Sequence, residues 1–418
     1  QSNMSEKIYV ADKETLDKVY NYLVEANPVF GFIEHNDVMS ATARIEYIGA
    51  NKDYTPISLN KSTGVMSLNS WADFPVILGN KPYMVRSDGT PDYRLNESDY
   101  TLKEDGTASD IANLEYDGGA FAWLPKIYKQ EYMQGEDRVV KFCMSPLEGF
   151  EPVGFVDANN NELEGLWIPM FYGSIDEGGK MRSLSGLQPS YNTTTAAEKT
   201  AIDAFSSRAV FLGGAAVETI TDLLIMFAKS TNTQDAYGNG NMSGYIADED
   251  VPTHGVLANA VVSGGQFYGT SDGKSLNKIF HSVVLGSWQQ WQRDPYMLLV
   301  NGRVKVSKNY EYDLTGAKYQ DTGITYETST GWQYPHKYRT VPGFGAVPVP
   351  PFKGSTSTGG CDGIYNNASG VRVALRFGDC DNGANVGARC RYLNAEAGYA
   401  YWYVCASVLL LPPVGIAA

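Results

Sequence analysis

Asn394-Ala-Glu-Ala-Gly-Tyr-Ala-Tyr-Trp-Tyr-Val-Cys-Ala-Ser-Val408 is the stretch on which the reading of this chain turns. With a period of two, Tyr399, Tyr401, Tyr403 and Cys405 fall on one side of a strand, and Ala400, Trp402, Val404, Ala406 and Val408 on the other. The second set runs on into Leu409, Leu410 and Leu411 and mixes the side-chain sizes that fill a core layer. The pattern therefore predicts Trp402, Val404, Ala406 and Val408 inward and three tyrosines outward. Tyrosine offers large, rigid contact area with a polar tip at low entropic cost, which suits a recognition surface. The same alternation also fits a strand buried between two layers, its tyrosine hydroxyls hydrogen-bonded inside.

The residues just before carry a second pattern. Val371-Arg-Val-Ala-Leu-Arg-Phe-Gly-Asp-Cys-Asp-Asn-Gly-Ala-Asn-Val-Gly-Ala-Arg-Cys-Arg-Tyr-Leu-Asn394 places Leu375, Arg376, Gly378, Asn382, Gly383, Ala384, Asn385, Gly387, Leu393 and Asn394 in a framework that Trp402 extends. That framework resembles the variable region of diversity-generating retroelement target proteins, which have a C-type lectin fold. In that family, adenines of asparagine codons are randomised, giving Asp, Tyr, Ala, Ser, Cys, Gly or Arg. Asp379, Asp381, Tyr392, Ala395, Tyr399, Tyr401 and Tyr403 are replacements of that kind. Phe377 stands where the family has glycine, and Val404-Cys405-Ala406 replaces its usual Ile-Gly-Phe-Arg ending.

The resemblance implies an α+β chain with a C-type lectin fold of the formylglycine-generating-enzyme type. Residues 1–40 read as a tag remnant and a helix, and the resemblance implies a β-rich accessory domain over 41–118 and the lectin-like domain over 119–418 with a variable region at about 376–406. The implied ligand-binding residues are Asp379, Cys380, Asp381, Arg389, Arg391, Tyr392, Ala395, Glu396, Tyr399, Tyr401 and Tyr403. The implied function is receptor binding at the tip of a phage tail fibre, against a protein or glycan of the bacterial surface. A homotrimer, part of a virion assembled in the bacterial cytoplasm, is the expected state. A diversified adhesin displayed by a bacterium is the alternative, and a fibre component without a receptor site is a third.

Composition agrees with recognition before metabolism. The chain has 418 residues, 43% of them hydrophobic, enough for a substantial core. A formal charge of −14 and no clustered Lys and Arg argue against a nucleic-acid partner, since neutralising phosphates needs such clusters. With 43 Gly, 28 Tyr and 19% charged residues, loop-rich β structure is expected. The five cysteines, Cys143, Cys361, Cys380, Cys390 and Cys405, form no C-x-x-C pair and are expected reduced. No apolar run reaches membrane length, as Pro412-Pro413 stops the one at 408–411. Gln1-Ser2-Asn3 before Met4 reads as a cloning remnant.

Asp12 to Glu25 reads as a helix with Leu16, Val19, Tyr20 and Leu23 on one stripe, ended by Asn27-Pro28. It either docks on the body or joins the chain to an upstream fibre or trimer partner. The acidic turns from Ser87 to Asp110 lack the spacing of a calcium loop and read as solvated turns. Phe121–Tyr128 and Asp137–Cys143 read as a hairpin around Gln134-Gly135-Glu136. A helix capped by Thr195, with Glu198 closing the capping box, and a second helix from Val217 to Lys229 are expected. Gly165–Gly173 and Lys180–Gly186 resemble the opening of the lectin-type domain, and Lys278–Arg293 with Leu298–Lys305 resembles its central strand and an Asn-Gly hairpin. Trp288 and Trp291 are read as scaffold, with sugar stacking a lesser role for one of them. Tyr237–Gly244 is a loop with no following Lys-Ser/Thr, so no phosphate site is read there. Gly343–Pro351 and Gly354–Gly360 read as loops whose Ser355, Thr356, Ser357 and Thr358 could form a rim.

For catalysis, His35, His254, His281 and His336 are scattered, and neither a G-x-S-x-G elbow nor H-E-x-x-H occurs. The formylglycine-generating enzyme needs a reactive cysteine pair. Cys380 and Cys390 are near in sequence but lie in the stretch that resembles a variable region. The expectation is a protein that is not an enzyme and has no cofactor and no metal.

Overall fold

A computed structural model describes residues 27–242, 255–261 and 265–418. The helix read over 12–25 and the last residues of the 237–244 loop lie outside them. Among the described residues strand accounts for 33% and helix for 12%, so the fold is mostly β with few helices, and one sheet is curled into a half-barrel.

Four strands form the first sheet, in the order Ile45–Gly49, Phe30–Glu34, Asp137–Cys143, Tyr128–Gln134. Alternation does what it should here: Phe30, Phe32, Ile45, Tyr47, Val140 and Phe142 all face the main core. Gly135, at φ 63°, closes the hairpin with Glu136. The partner of Asp137–Cys143 is thus Tyr128–Gln134, and not the run from Phe121 that the sequence pattern paired with it. That run, Gly118–Pro125, ends at its proline and lies in another sheet.

The second sheet runs Ala209–Phe211, Val408–Leu410, Gly165–Pro169, Gly118–Pro125, Pro82–Arg86, Pro91–Arg94. Its inner strands are buried on both faces, which is why they read as nearly continuous apolar runs. Residues 82–94 and the C-terminal strand are therefore parts of one sheet, and 30–49 shares another with 128–143. The expected boundary between 118 and 119 corresponds to no break between sheets.

The third sheet carries the site. Its order is Gln320–Thr325, Arg303–Val306, Trp291–Val300, Val371–Arg376, Arg391–Leu393, Ile364–Asn366, with Val404–Cys405 pairing in parallel with Trp291 and Gln292. Asn301 and Gly302, at φ 46° and 80°, make the expected Asn-Gly hairpin turn. Gly343–Pro351 is not loop throughout: Gly345–Val349 pairs with Lys337–Val341.

Two helices pack on these sheets. Thr195–Phe205 is capped by Thr194, one residue earlier than expected, whose hydroxyl accepts from Ala197 N at 3.2 Å. Glu198 closes no capping box; it is buried and pairs with Arg293. The helix Gly214–Ala228 is buried along nearly its whole length and presents Glu218 and Asp222, four apart on one face, to the interior.

Candidate functional site

The chain from Ala395 to Tyr403 is not a strand. Tyr399 N bonds back to Glu396 O at 2.9 Å and Val404 N to Tyr401 O at 3.2 Å, so this segment is two turns, and side chains no longer alternate between faces. Strand structure resumes only at Val404, and from there to Leu410 every residue is buried. Trp402 consequently sits half-buried at the surface and not inward, while Val404, Ala406 and Val408 are core as expected.

Released from strand geometry, the tyrosines gather into a cluster. Tyr399 and Tyr401 stack with centroids 5.5 Å apart, Tyr401 and Tyr403 lie 4.9 Å apart, and Trp402 meets Tyr403 edge-on at 4.9 Å. The Tyr399 and Tyr403 hydroxyls hydrogen-bond each other. Tyr401, 47% exposed, is the outermost ring, and Tyr399 and Tyr403 are half-buried. The reading as a fully outward row and the reading as a buried strand are both too simple.

Beneath and beside the cluster, Tyr392 joins it to a second aromatic group. Tyr392 and Tyr365 are register partners on parallel strands, so their rings stack at 5.5 Å. Trp332 packs edge-on against Tyr365 and stacks on the buried Trp291 at 6.3 Å. Trp291 thus supports the site from below, in the scaffold role expected of it. Neither Trp332 nor Tyr365 was singled out in sequence, because each lies in a short, irregular run whose relation to Tyr392 exists only through strand pairing.

Five of the eleven expected contact residues are buried. Arg389 donates to both oxygens of Glu34, at 2.6 and 2.8 Å. Arg391 donates to Glu218 at 2.6 Å, which Arg376 also reaches at 2.6 Å. Neither Arg389 nor Arg391 can meet a ligand: each is held inside, where an unpaired charge would be costly. A wider buried network continues the pattern, with Arg138 bidentate on Asp222 at 2.7 and 2.6 Å and Lys129 on the same carboxylate at 2.7 Å. Burial works to raise the Glu34 carboxyl, but Arg389, Arg44 and Arg138 together hold it down at about 2. Ala395 is fully buried, and its carbonyl accepts from Val373 N at 2.8 Å.

Cys380 is also fully buried, its thiol pushed up to about 12 by burial and the nearby Asp379 and Asp381. All five thiols are buried and unpaired with one another. Asp379 is 2% exposed, and burial pushes its carboxyl up to about 7 although Asp381 N donates to it at 2.8 Å. The exposed members of the expected set are Asp381, Glu396 and Tyr401, with Tyr392, Tyr399 and Tyr403 half-buried. Glu396 is tied at 2.8 Å to Arg372. The Ser355–Thr358 run is a turn whose Ser355 and Thr358 hydroxyls bond each other at 2.8 Å.

Elsewhere, the acidic turns are closed locally: Asp88, Asp99 and Asp105 each accept from the Thr two residues on, at 2.6 Å through its hydroxyl. Among the described residues, no three or more His, Cys, Asp or Glu are grouped to hold a metal ion, and no helix is long and apolar enough to cross a membrane. His35 bridges Asp137 at 2.8 Å and Glu46 at 3.0 Å, and His281 is buried against the Tyr100 hydroxyl at 2.7 Å. What the third sheet and the 395–403 turns offer is an aromatic surface beside strands anchored by interior ion pairs. No protein-family model matches this chain, and no curated protein matches its sequence.

Proposed function

We propose that the chain is a receptor-binding protein of a phage tail-fibre tip, a C-type-lectin-like fold that holds a diversified face against a protein or glycan of the bacterial surface. The observation that carries this reading is the continuous aromatic surface of Tyr365, Trp332, Tyr392, Tyr399, Tyr401, Tyr403 and Trp402, most of it within the stretch that resembles a diversified variable region. Rigid aromatic rings with polar tips are the residues that dominate binding energy at protein surfaces. Anchoring of the flanking strands through Arg376, Arg389 and Arg391 supports it, because a face whose side chains change needs a backbone that does not. A modest single-site affinity would be amplified by display of several copies on one fibre.

The test is the triple variant Tyr399→Ala, Tyr401→Ala, Tyr403→Ala, assayed for thermal melting and for binding to a panel of bacterial cells. Retained melting with binding lost supports the reading. Binding that survives in a folded variant refutes the assignment of this face. Diversification itself is checked in the gene's surroundings, where a near-repeat of the 3′ coding sequence differing at adenines, beside a reverse transcriptase, is expected.

A further inference from the structure

At one edge of the third sheet, the opposite edge from Ile364–Asn366, Val306 and Gln320 are register partners on neighbouring strands. With parts of the segments 151–156 and 307–311 and with Gly343 they enclose a pocket of about 570 Å3, a volume usual for a small-molecule site. It shares no residue with the aromatic surface. Two polar groups of its lining have no hydrogen-bond partner among the described residues: the hydroxyl of Ser307, a residue 4% exposed, and Oε1 of Gln320. Other polar groups there already answer one another. Lys318 is paired with Glu311 at 3.0 Å, and Asn309 Nδ2 donates to Asn160 Oδ1 at 3.0 Å. Lys308 and Glu151, both exposed, form no ion pair among the described residues.

We propose that this pocket is a second binding site, for a neutral polyhydroxylated small molecule, a sugar or polyol up to the size of a disaccharide, held by direct hydrogen bonds to Ser307 and Gln320.

The charge balance is the first argument. The lining carries Glu151 and Glu311 against Lys308 and Lys318, so a ligand with net charge of either sign meets a like charge. The unanswered groups are the second. A hydroxyl both donates and accepts, so it can donate to Gln320 Oε1, pair with Ser307 either way, accept from Lys308 and donate to Glu151. An apolar ligand would displace solvent from Ser307 and Gln320 without replacing its hydrogen bonds, which lowers affinity. Pro152, Val153, Val156 and Val306 supply apolar wall for the C–H faces of a sugar ring.

Saturation-transfer NMR on the full chain tests this, with glucose, galactose, N-acetylglucosamine, lactose and maltose as neutral probes, glucuronate and glucosamine as charged ones, and alanine as a zwitterion. At least one neutral probe is expected to bind with a Kd of about 1 mM or tighter, and the charged and zwitterionic probes at least about tenfold more weakly. Gln320→Leu and Ser307→Ala are each expected to weaken the neutral probe by about tenfold, and Val156→Trp, which fills the pocket, to abolish its binding, with melting followed for every variant. If Val156→Trp fails to fold, Gln320→Leu and Ser307→Ala decide. No neutral probe bound at that level would overturn the proposal, as would a preference for the charged or zwitterionic probes. Neutral binding unchanged in folded Gln320→Leu and Ser307→Ala would do the same, since the ligand would then sit elsewhere.

Discussion

Arg389 and Glu34 meet across 355 positions of chain, and the bidentate pair they form is sealed from solvent. In sequence Arg389 and Arg391 look like members of a diversified, surface-facing run, because nothing local states which carboxylates arrive from elsewhere. Removing one partner of a buried pair leaves the other charge uncompensated, at a cost of about 3–5 kcal/mol. Arg389→Met is therefore expected to lower the unfolding free energy by about 3 kcal/mol, softened by Arg44, which stays 3.2 Å from Glu34. Tyr401→Ala, at an exposed ring, should change it by no more than about 0.5 kcal/mol. Urea denaturation of the two variants checks both. Equal small losses would show that Arg389 is not sealed in the interior.

Among the elements, the hairpin at Asn301-Gly302 was readable because its turn chemistry is local: both residues need positive φ, and Asn-Gly supplies them. At Gly302 a Cβ would also meet the Tyr326 carbonyl at 2.8 Å. Gly302→Ala is expected to destabilise by about 1 kcal/mol or more, seen as a lowered melting temperature; an unchanged one would contradict this turn geometry. Residues 394–403 depart from the alternating pattern for the complementary reason. Alternation presumes a strand, and a strand needs a partner for its ladder, which the two turns at Glu396–Tyr399 and Tyr401–Val404 replace. The cap at Thr194 differs from the expected Thr195 by one residue, and with that shift Glu198 becomes a buried partner of Arg293.

Across the whole molecule, strands from the N-terminal and C-terminal parts share two sheets. Val408–Leu410 lies between Ala209–Phe211 and Gly165–Pro169, and Pro82–Arg94 completes the far edge of the same sheet. A fragment of residues 119–418 would expose the edges of two sheets and lose Glu34 from under Arg389. Such a fragment is expected to lack a cooperative melting transition, where the intact chain has one; cooperative unfolding of the fragment would show that 119–418 is a domain after all.

The sequence by itself determined the β-rich character, the Asn-Gly hairpin, the two main helices to within a few residues, the inward set Val404, Ala406 and Val408, and tyrosine as the character of the candidate face. Each of these rests on spacing or turn chemistry confined to a few consecutive residues. Only the tertiary structure decided that Arg389 and Arg391 are interior anchors, that Cys380 and Ala395 are core, that Trp332 and Tyr365 belong to the aromatic surface, and that the sheets run through the expected domain boundary. These outcomes depend on groups tens to hundreds of residues apart. Whether a charged side chain lies in water or against a buried carboxylate is set by those partners, and no local pattern encodes them.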